Sequence, residues 1–206
     1  MPELPEVETT RRGIAPHIEG QRIHAIRARV AKLRQTLDNA ALDRLAGCVI
    51  NHVARRGKHL ILHSDDPHRA LHIHLGMSGA LRITPASSPH KKHDHVAITL
   101  DNGDELRLHD PRRFGAVLLV QGDNDPRARK LLGTIGMEPL SDAFSAEALA
   151  QQLKGRTAPI KQVLLAGKVV TGVGNIYASE VLFRAGIHPQ KPAGKLTHKQ
   201  VWRLWQ

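Results

Sequence analysis

The spacing of apolar positions divides the chain into a helical start, a long strand-rich region and a helical end. Residues 3–17 have the pattern of a helix, with Pro and acidic residues in the first turn. From about 22 to 120, short apolar runs alternate with turn residues and predict seven or eight strands. The candidate strands are 22–29, 49–55, 59–63, 70–74, 80–84, 95–100, 105–109 and 115–120. Strands at this spacing indicate a sandwich or a barrel, with a short helix over 37–45 inside it.

After about residue 122 the pattern becomes helical. We expect helices to begin near Asp125, Ser145, Pro159, Asn175 and Thr197. The polar, turn-rich stretch 122–126 suggests a division into a domain of residues 1–130 and a helical domain of residues 131–206. The last helix is still periodic where the sequence stops, so we expect a chain cut short inside a helix.

The charge of the chain indicates which class of partner it binds. Lys and Arg number 30 against 19 Asp and Glu, which gives a net charge of +11. Such an excess favours a polyanionic partner, most simply nucleic acid. Aromatic residues make up only 3% of the chain, which disfavours serial base stacking on single strands and favours a duplex. We expect no membrane span and no signal peptide, and therefore a cytoplasmic protein.

Metal and disulfide chemistry find little support. Cys48 is the single cysteine, so neither a disulfide framework nor a cysteine zinc site can be built within the chain. The pairs His72/His74 and His93/His95 have the spacing of ligands on one strand face. Such pairs arise by chance among 14 histidines, and no carboxylate ligand is fixed nearby, so we assign no metal site.

The N-terminus offers a nucleophile. If Met1 is removed, the chain begins with the secondary amine of Pro2, followed directly by the carboxylate of Glu3. An N-terminal amine has a reference pKa of about 8, so far more of it is neutral near pH 7 than of a lysine. A neutral amine beside a carboxylate can act as a covalent nucleophile with its own acid/base partner. The same residues also suit an ordinary helix start, with Glu6 near the positive end of the dipole.

Four other segments carry chemistry, each with a plainer alternative. The basic cluster 55–59 fits phosphate binding or a solvated strand edge. The loop 74–79 places a Met between two glycines, as a wedge for a groove or as a filler of a core gap. Segment 110–115 fits a base-pairing Arg beside an inserted Phe, or an Asp110–Arg salt bridge with a core Phe. The Gly-x-Gly turn at 172–174 precedes a helix and exposes N–H groups suited to phosphate.

Together these segments resemble the formamidopyrimidine-DNA glycosylase family. The motifs are Pro-Glu-Leu-Pro-Glu-Val-Glu at 2–8, His-Leu-Gly-Met-Ser-Gly at 74–79, Lys-His-Asp-His-Val at 92–96, Asp-Pro-Arg-Arg-Phe-Gly at 110–115 and Gly-Val-Gly-Asn-Ile-Tyr-Ala-Ser-Glu at 172–180. They follow the family's order from residue 2 to about 189. The start differs from the Pro-Glu-Gly-Pro-Glu typical of the endonuclease VIII branch, so the chain looks like the branch that acts on purine lesions.

The resemblance implies an α+β fold, in which an N-terminal helix and a two-sheet β-sandwich precede a helix-two-turn-helix domain. It implies that Pro2 is the nucleophile and Glu3 the general acid/base, that Glu6 arranges the N-terminus, and that Lys58 contacts phosphate and assists elimination. The remaining implied roles concern DNA. Met77, Arg112 and Phe114 would fill the hole that the flipped nucleotide leaves in the duplex, with Arg112 facing the orphaned cytosine. The DNA backbone would be contacted by His93, Arg156, Lys161 and Asn175.

The resemblance also implies a function. It is base-excision repair of damaged double-stranded DNA by a monomer that removes oxidised purines and cleaves the abasic site by β,δ-elimination. The family's four-cysteine zinc finger has no counterpart in these residues, so zinc is expected only in a full-length member. Two alternatives stay open, a truncated fragment that binds duplex DNA without catalysis and a glycosylase for oxidised pyrimidines.

Overall fold

The computed structural model describes residues 2–122 and 125–206. The chain folds as two compact units, divided between Lys130 and Leu131. Met1, whose removal the proposed chemistry requires, lies outside the described residues, as do Asp123 and Asn124 of the polar stretch where we predict a domain boundary.

The first unit begins with helix α1 (Leu4–Ile18), which starts at a capping box between Glu3 and Glu6. Acidic side chains are favourable there, since the first N–H groups of a helix lack partners within it. Val7 and Ile18 of α1 are fully buried and join the core of the same unit.

Eight strands of this unit form two antiparallel sheets among the described residues. One sheet has the order β1-β6-β7-β5 and the other β2-β3-β4-β8. The strands are β1 (Ile23–Ala28), β2 (Ile50–Arg56), β3 (His59–Ser64), β4 (Ala70–His74), β5 (Ala80–Pro85), β6 (Asp94–Leu100), β7 (Asp104–His109) and β8 (Ala116–Val120). Both sheets contribute inward residues to one core, which includes Ile26, Leu60, Leu71, Ile98 and Leu106, each at most 2% exposed.

Tight turns fix the register of two hairpins. Gly57, with φ of 57°, turns the chain between β2 and β3, so that Arg56 pairs with His59 and the lysine between them lies at the hairpin tip. Gly103, with φ of 88°, turns it between β6 and β7. Both conformations lie in the left-handed region, which glycine adopts without steric cost.

The short helix predicted over 37–45 is split. Helix α2 (Asn39–Leu42) begins after Asp38, whose side chain accepts the N–H of Ala41 at 3.1 Å. A single 3-10 turn, Asp43–Leu45, follows before the chain enters β2. Helix α3 (Pro126–Leu132) lies across the division between the two units.

The second unit is helical. Its helices are α4 (Ala146–Leu153), α5 (Ile160–Leu165), α6 (Asn175–Ala185) and α7 (His198–Trp205). Ser145 caps α4 and Thr197 caps α7 through their hydroxyl groups, while Gly186 ends α6 with φ of 65°. A separate apolar core joins the four helices and includes Leu149, Ile160, Ala178, Leu182 and Val201. The predicted α+β fold, with a helix and two sheets followed by a helical end, is confirmed.

Candidate active site

The N-terminus of α1 brings an amine position and two carboxylates together. Glu3 is only 1% exposed although it is a charged residue, and Pro2 beside it is partly exposed. The backbone N–H of Glu3 donates to Oε2 of Glu6 at 2.9 Å. Glu6 therefore holds the first residues of the chain in place, and Glu3 is kept out of bulk water next to Pro2.

Lys58 faces these carboxylates from the β2–β3 hairpin. Burial lowers the pKa of the Lys58 ammonium, and the negative charges of Glu3 and Glu6 raise it again in part. Desolvation disfavours the charged form of an amine, while nearby carboxylates favour it. The three predicted catalytic residues, Pro2, Glu3 and Lys58, are thus neighbours in the structure, together with Glu6, which is predicted to arrange the N-terminus.

A buried ion pair, which the sequence analysis missed, supports this hairpin. Nε of Arg55 lies 2.9 Å from Oε2 of Glu8, and the two side chains are 6% and 14% exposed. Arg55 also donates to the carbonyl of Gly57 at 3.0 Å, in the turn that carries Lys58. Hydrogen bonds from Arg11 first, and then from Arg12 and Arg55, lower the pKa of Glu8 from 4.5 to about 2.

Two neutral histidines lie beside the same hairpin. The rings of His59 and His74 are 4.8 Å apart across β3 and β4. Burial is the main cause that lowers the pKa of His59 to about 3 and that of His74 to about 4, and the positive charge of Arg34 adds to both shifts. His74 uses its unprotonated Nδ1 to accept the N–H of Gly76 at 3.0 Å. This bond ties the histidine to the loop that follows β4.

That loop and the one before β8 present the predicted void-filling side chains. Met77 is 40% exposed and Phe114 is 45% exposed, so the alternatives that placed them in the core are wrong. Cζ of Arg112 lies 5.1 Å from the centre of the Phe114 ring, a cation–π contact. The structure therefore brings a cation and an aromatic ring together on an exposed tip, with a methionine exposed on the neighbouring loop.

His93 lies near the start of β6 among other titratable groups. Its ring centre is 5.9 Å from that of His95 and 5.8 Å from that of His109. Asp94 binds Nδ1 of His109 at 2.8 Å and accepts the N–H of Lys91 at 2.9 Å. His93 thus lies on a basic loop that is held by buried polar groups of the sheet.

The second unit gathers two of its three predicted DNA contacts. Nζ of Lys161 on α5 donates to the hydroxyl of Ser179 at 3.1 Å, and that hydroxyl donates to the carbonyl of Asn175 at 2.8 Å. Asn175 is exposed as the first residue of α6, where the helix dipole favours an anion. Arg156 is exposed on a different segment and donates to the carbonyl of Gln152 at 2.7 Å.

Comparison with known families decides the identity. The model of the formamidopyrimidine-DNA glycosylase N-terminal domain matches residues 1–117, and the model of the H2TH domain of the same enzymes matches residues 135–206. The chain belongs to the formamidopyrimidine-DNA glycosylase family. It is therefore a base-excision repair enzyme, a DNA glycosylase with abasic-site lyase activity.

Individual members of the formamidopyrimidine-DNA glycosylase family match over nearly the whole chain. The enzyme of Hydrogenovibrio crunogenus is 50% identical over 204 residues, 99% of this chain and 71% of that protein. The Lactococcus lactis enzyme, non-covalently bound to DNA containing an AP site, gives a TM-score of 0.88 at 36% identity, over 98% of this chain and 77% of its own. MutM in complex with DNA containing carbocyclic 8-oxo-G gives 0.89 at 35% identity, over 99% and 75%.

The zinc finger implied by the glycosylase family does not fit the residues present. Cys48 is buried at 8% exposure, and one cysteine cannot supply four sulfur ligands. Within residues 2–122 and 125–206 no group of three or more His, Cys, Asp or Glu side chains is arranged to hold a metal ion. No helix in the described part of the chain is both long and apolar enough to cross a membrane.

Proposed function

We propose that this chain excises oxidised purine bases from duplex DNA, with the nitrogen of Pro2 as nucleophile and Glu3 as general acid/base. One observation carries the proposal. A nearly fully buried carboxylate, Glu3, adjoins the amine position and interacts with a lysine, Lys58, whose pKa is lowered by burial. A buried carboxylate that interacts with an amine of shifted pKa is typical of catalytic sites rather than of helix starts.

The chemistry follows from these groups. The lone pair of the neutral Pro2 nitrogen attacks C1′ of the damaged nucleotide, and the C1′–N bond breaks so that the base leaves with the electron pair. The attacking nitrogen gives its proton to the carboxylate of Glu3, and Glu3 passes that proton to O4′ as the C1′–O4′ bond opens, which leaves an iminium cation between the proline and C1′. The cation withdraws electrons and acidifies the C2′ proton. Removal of that proton expels the 3′ phosphate, and a second elimination expels the 5′ phosphate.

Lys58 suits a role in both binding and elimination. Its ammonium is half-buried next to Glu3 and Glu6, so it can contact a phosphate and exchange protons with neighbouring groups more readily than an exposed lysine. We assign Glu6 to holding the first turn of α1, on the basis of its bond to the N–H of Glu3.

Extrusion of the damaged nucleotide leaves a gap in the duplex. Met77, Arg112 and Phe114 suit the filling of that gap because they are exposed on two adjacent loops of one unit. In this assignment Arg112 donates hydrogen bonds to the orphaned cytosine, while the apolar side chains keep the stack apart. His93 suits a contact with the DNA backbone from its basic loop.

Damaged duplex DNA is the proposed partner. The net charge of +11 favours a polyanion, and Lys161, Asn175 and Arg156 supply phosphate-binding groups in the second unit. The Lactococcus lactis and MutM structures contain DNA with an AP site and with carbocyclic 8-oxo-G, respectively. We also propose that residues 1–130 are the catalytic domain, and that a monomer acts in the cytoplasm, where bacterial DNA lies.

Borohydride trapping tests the nucleophile. The chain is incubated with a duplex containing one abasic site or 8-oxoguanine opposite cytosine, and the iminium is reduced to a stable adduct. We expect an adduct with the chain beginning at Pro2 and with Pro2→Gly, which keeps an N-terminal amine, and no adduct when that amine is acetylated. An adduct that survives acetylation would place the nucleophile elsewhere.

The same assay separates the alternatives. Salt-dependent binding to the duplex without any adduct would mean that the chain is a DNA-binding fragment without catalysis. Faster cleavage of thymine glycol than of 8-oxoguanine would move the substrate to oxidised pyrimidines.

A further inference from the structure

Asp110 is a fully buried carboxylate that the chemistry above does not use. Its exposed fraction is 0%. Oδ1 accepts the hydroxyl proton of Ser78 at 2.8 Å, and Oδ2 accepts the N–H of Gly115 at 2.7 Å. One carboxylate therefore bonds the loop that carries Met77 and the loop that carries Phe114, which are separated in sequence by the three strands β5, β6 and β7.

The connection continues through Ser78. Its hydroxyl oxygen accepts the backbone N–H of Arg112 at 3.2 Å while its proton is donated to Asp110. The backbone of Asp110 donates to the carbonyl of His93 at 2.9 Å and accepts the N–H of Arg113 at 3.1 Å. The same residue thus touches each segment that presents a group to DNA in the first unit, apart from the N-terminal helix and the β2–β3 hairpin.

Backbone packing shows that the two loops fit one another closely. A Cβ atom on Gly76 would overlap the backbone carbonyl carbon of Phe114, and one on Gly115 would lie 2.9 Å from Oδ2 of Asp110. Arg113 has φ of 57° and is the only non-glycine residue with positive φ within residues 2–122 and 125–206. Such a conformation persists only where the surroundings fix it. The hydrogen bonds of Asp110 supply that constraint.

We propose that Asp110 is a positioning residue that joins the Met77 and Phe114 loops into one rigid unit, so that the three void-filling side chains enter the duplex together. The inference rests on the void-filling role proposed above. Met77, Arg112 and Phe114 have no shared element of secondary structure, so their relative positions depend on contacts between loops. A buried carboxylate with both oxygens bonded to different loops fixes such positions better than apolar contacts do.

The test measures the insertion of the void-filling side chains into DNA that the enzyme cannot cleave. The DNA is a duplex with a tetrahydrofuran abasic analogue and 2-aminopurine in the adjacent base step, whose emission changes when the stack is wedged open. The variants are Asp110→Asn, which converts one acceptor oxygen to a donor group, Ser78→Ala, which removes the hydroxyl link, and Met77→Ala as the direct loss of a wedge. Asp101→Asn is the matched control, because Asp101 lies on an exposed turn of the same unit.

At saturating protein we expect Asp110→Asn and Ser78→Ala to lose at least half of the emission change, Met77→Ala to lose most of it, and Asp101→Asn to keep it. Borohydride trapping on a single-stranded abasic oligonucleotide, which has no stack to fill, should change less than twofold in Asp110→Asn. A general loss of folding would lower both signals, so this split distinguishes positioning from stability.

Two results would overturn the inference in different ways. If Met77→Ala loses the emission change while Asp110→Asn and Ser78→Ala keep it, the void-filling role stands and the positioning role of Asp110 is wrong. If the unaltered chain gives no emission change on a duplex that it binds, the proposed void filling fails and the inference fails with it.

Discussion

The Glu8–Arg55 pair predicts a measurable, pH-dependent share of stability. Glu8→Gln keeps the size of the side chain but removes its charge, and with it the ion pair to the guanidinium of Arg55, which is only 6% exposed. Removal of one partner of a buried pair is strongly destabilising because the other charge stays desolvated. Arg55 also bonds the turn that carries Lys58, so the pair connects helix α1 to the proposed active site.

The magnitude follows from the pKa of Glu8, which falls from 4.5 to about 2 on folding. Converted in full, that difference corresponds to about 3 kcal/mol of folding free energy. The largest share comes from the hydrogen bond of Arg11, with smaller shares from Arg12 and Arg55. The side chain of Arg12 is 73% exposed, so water screens its interaction. We therefore expect Glu8→Gln to lower the free energy of unfolding by about 2 kcal/mol at pH 7.

The sign of the pH dependence is fixed by the same values. A carboxyl group whose pKa is lowered in the folded state stabilises the fold fully above its unfolded pKa, near 4.5, and loses that contribution as pH falls toward 2. One pH unit below the unfolded pKa, at pH 3.5, about 1 kcal/mol of the contribution is already gone. Glutamine does not titrate, so the difference between the two proteins isolates Glu8.

Urea denaturation followed by circular dichroism at pH 7, 5 and 3.5 measures this difference. Asp101→Asn serves as the control, since the Asp101 side chain is 49% exposed and its ion pair with Arg22 is 3.9 Å long. We expect the control to change stability by less than about 0.5 kcal/mol at each pH. A Glu8→Gln difference that is the same at pH 7 and pH 3.5, or that is absent at pH 7, would refute the reasoning.

Two further predictions concern the same unit. Glu6→Gln removes a negative charge that raises the pKa of Lys58, so NMR titration of the lysine should give a still lower value, and an unchanged or higher value would contradict the assignment. Gly76→Ala should lower the free energy of unfolding by about 3 kcal/mol, since it adds backbone overlap to a positive φ. Gly103 has φ of 88° and open space around it, so Gly103→Ala should lower the free energy of unfolding by only about 1 kcal/mol. Equal losses of stability in the two variants would show that the loops move apart and relieve the overlap at residue 76.

Local patterns were enough to predict most of the fold. The predicted strand 70–74 coincides with β4, because its apolar run ends at turn residues on both sides. The helix predicted over 37–45 was only partly right, since the Asp38 cap begins a single α-helical turn and a 3-10 turn takes over at Asp43. The spacing of apolar residues shows that such a segment packs against the core, but it does not distinguish an α-helix from a 3-10 helix.

The candidate site is different, because its geometry depends on pairs that are far apart in sequence. Arg55 and Glu8 are 47 positions apart, and Ser78 and Asp110 are 32 apart. One of the two interpretations of segment 110–115 paired Asp110 with a neighbouring arginine, whereas its oxygens accept from Ser78 and Gly115. No local pattern of charge or hydropathy encodes such a partner.

The residues proposed to act on DNA can therefore be recognised in the sequence, whereas the residues that hold them in place can be recognised only in the structure. Met77 stands out in the sequence because two glycines flank it, and Phe114 because it follows arginines after a Pro turn, and both side chains are exposed. Asp110 and Glu8 look like ordinary surface acids in the sequence, yet each is buried or nearly so and bonded to another element. A buried acid with both oxygens bonded to separate loops is a better guide to the supporting structure of a site than the motif beside it. This is why the positioning role is tested at Asp110 and Ser78, and not by further substitutions in the void-filling residues alone.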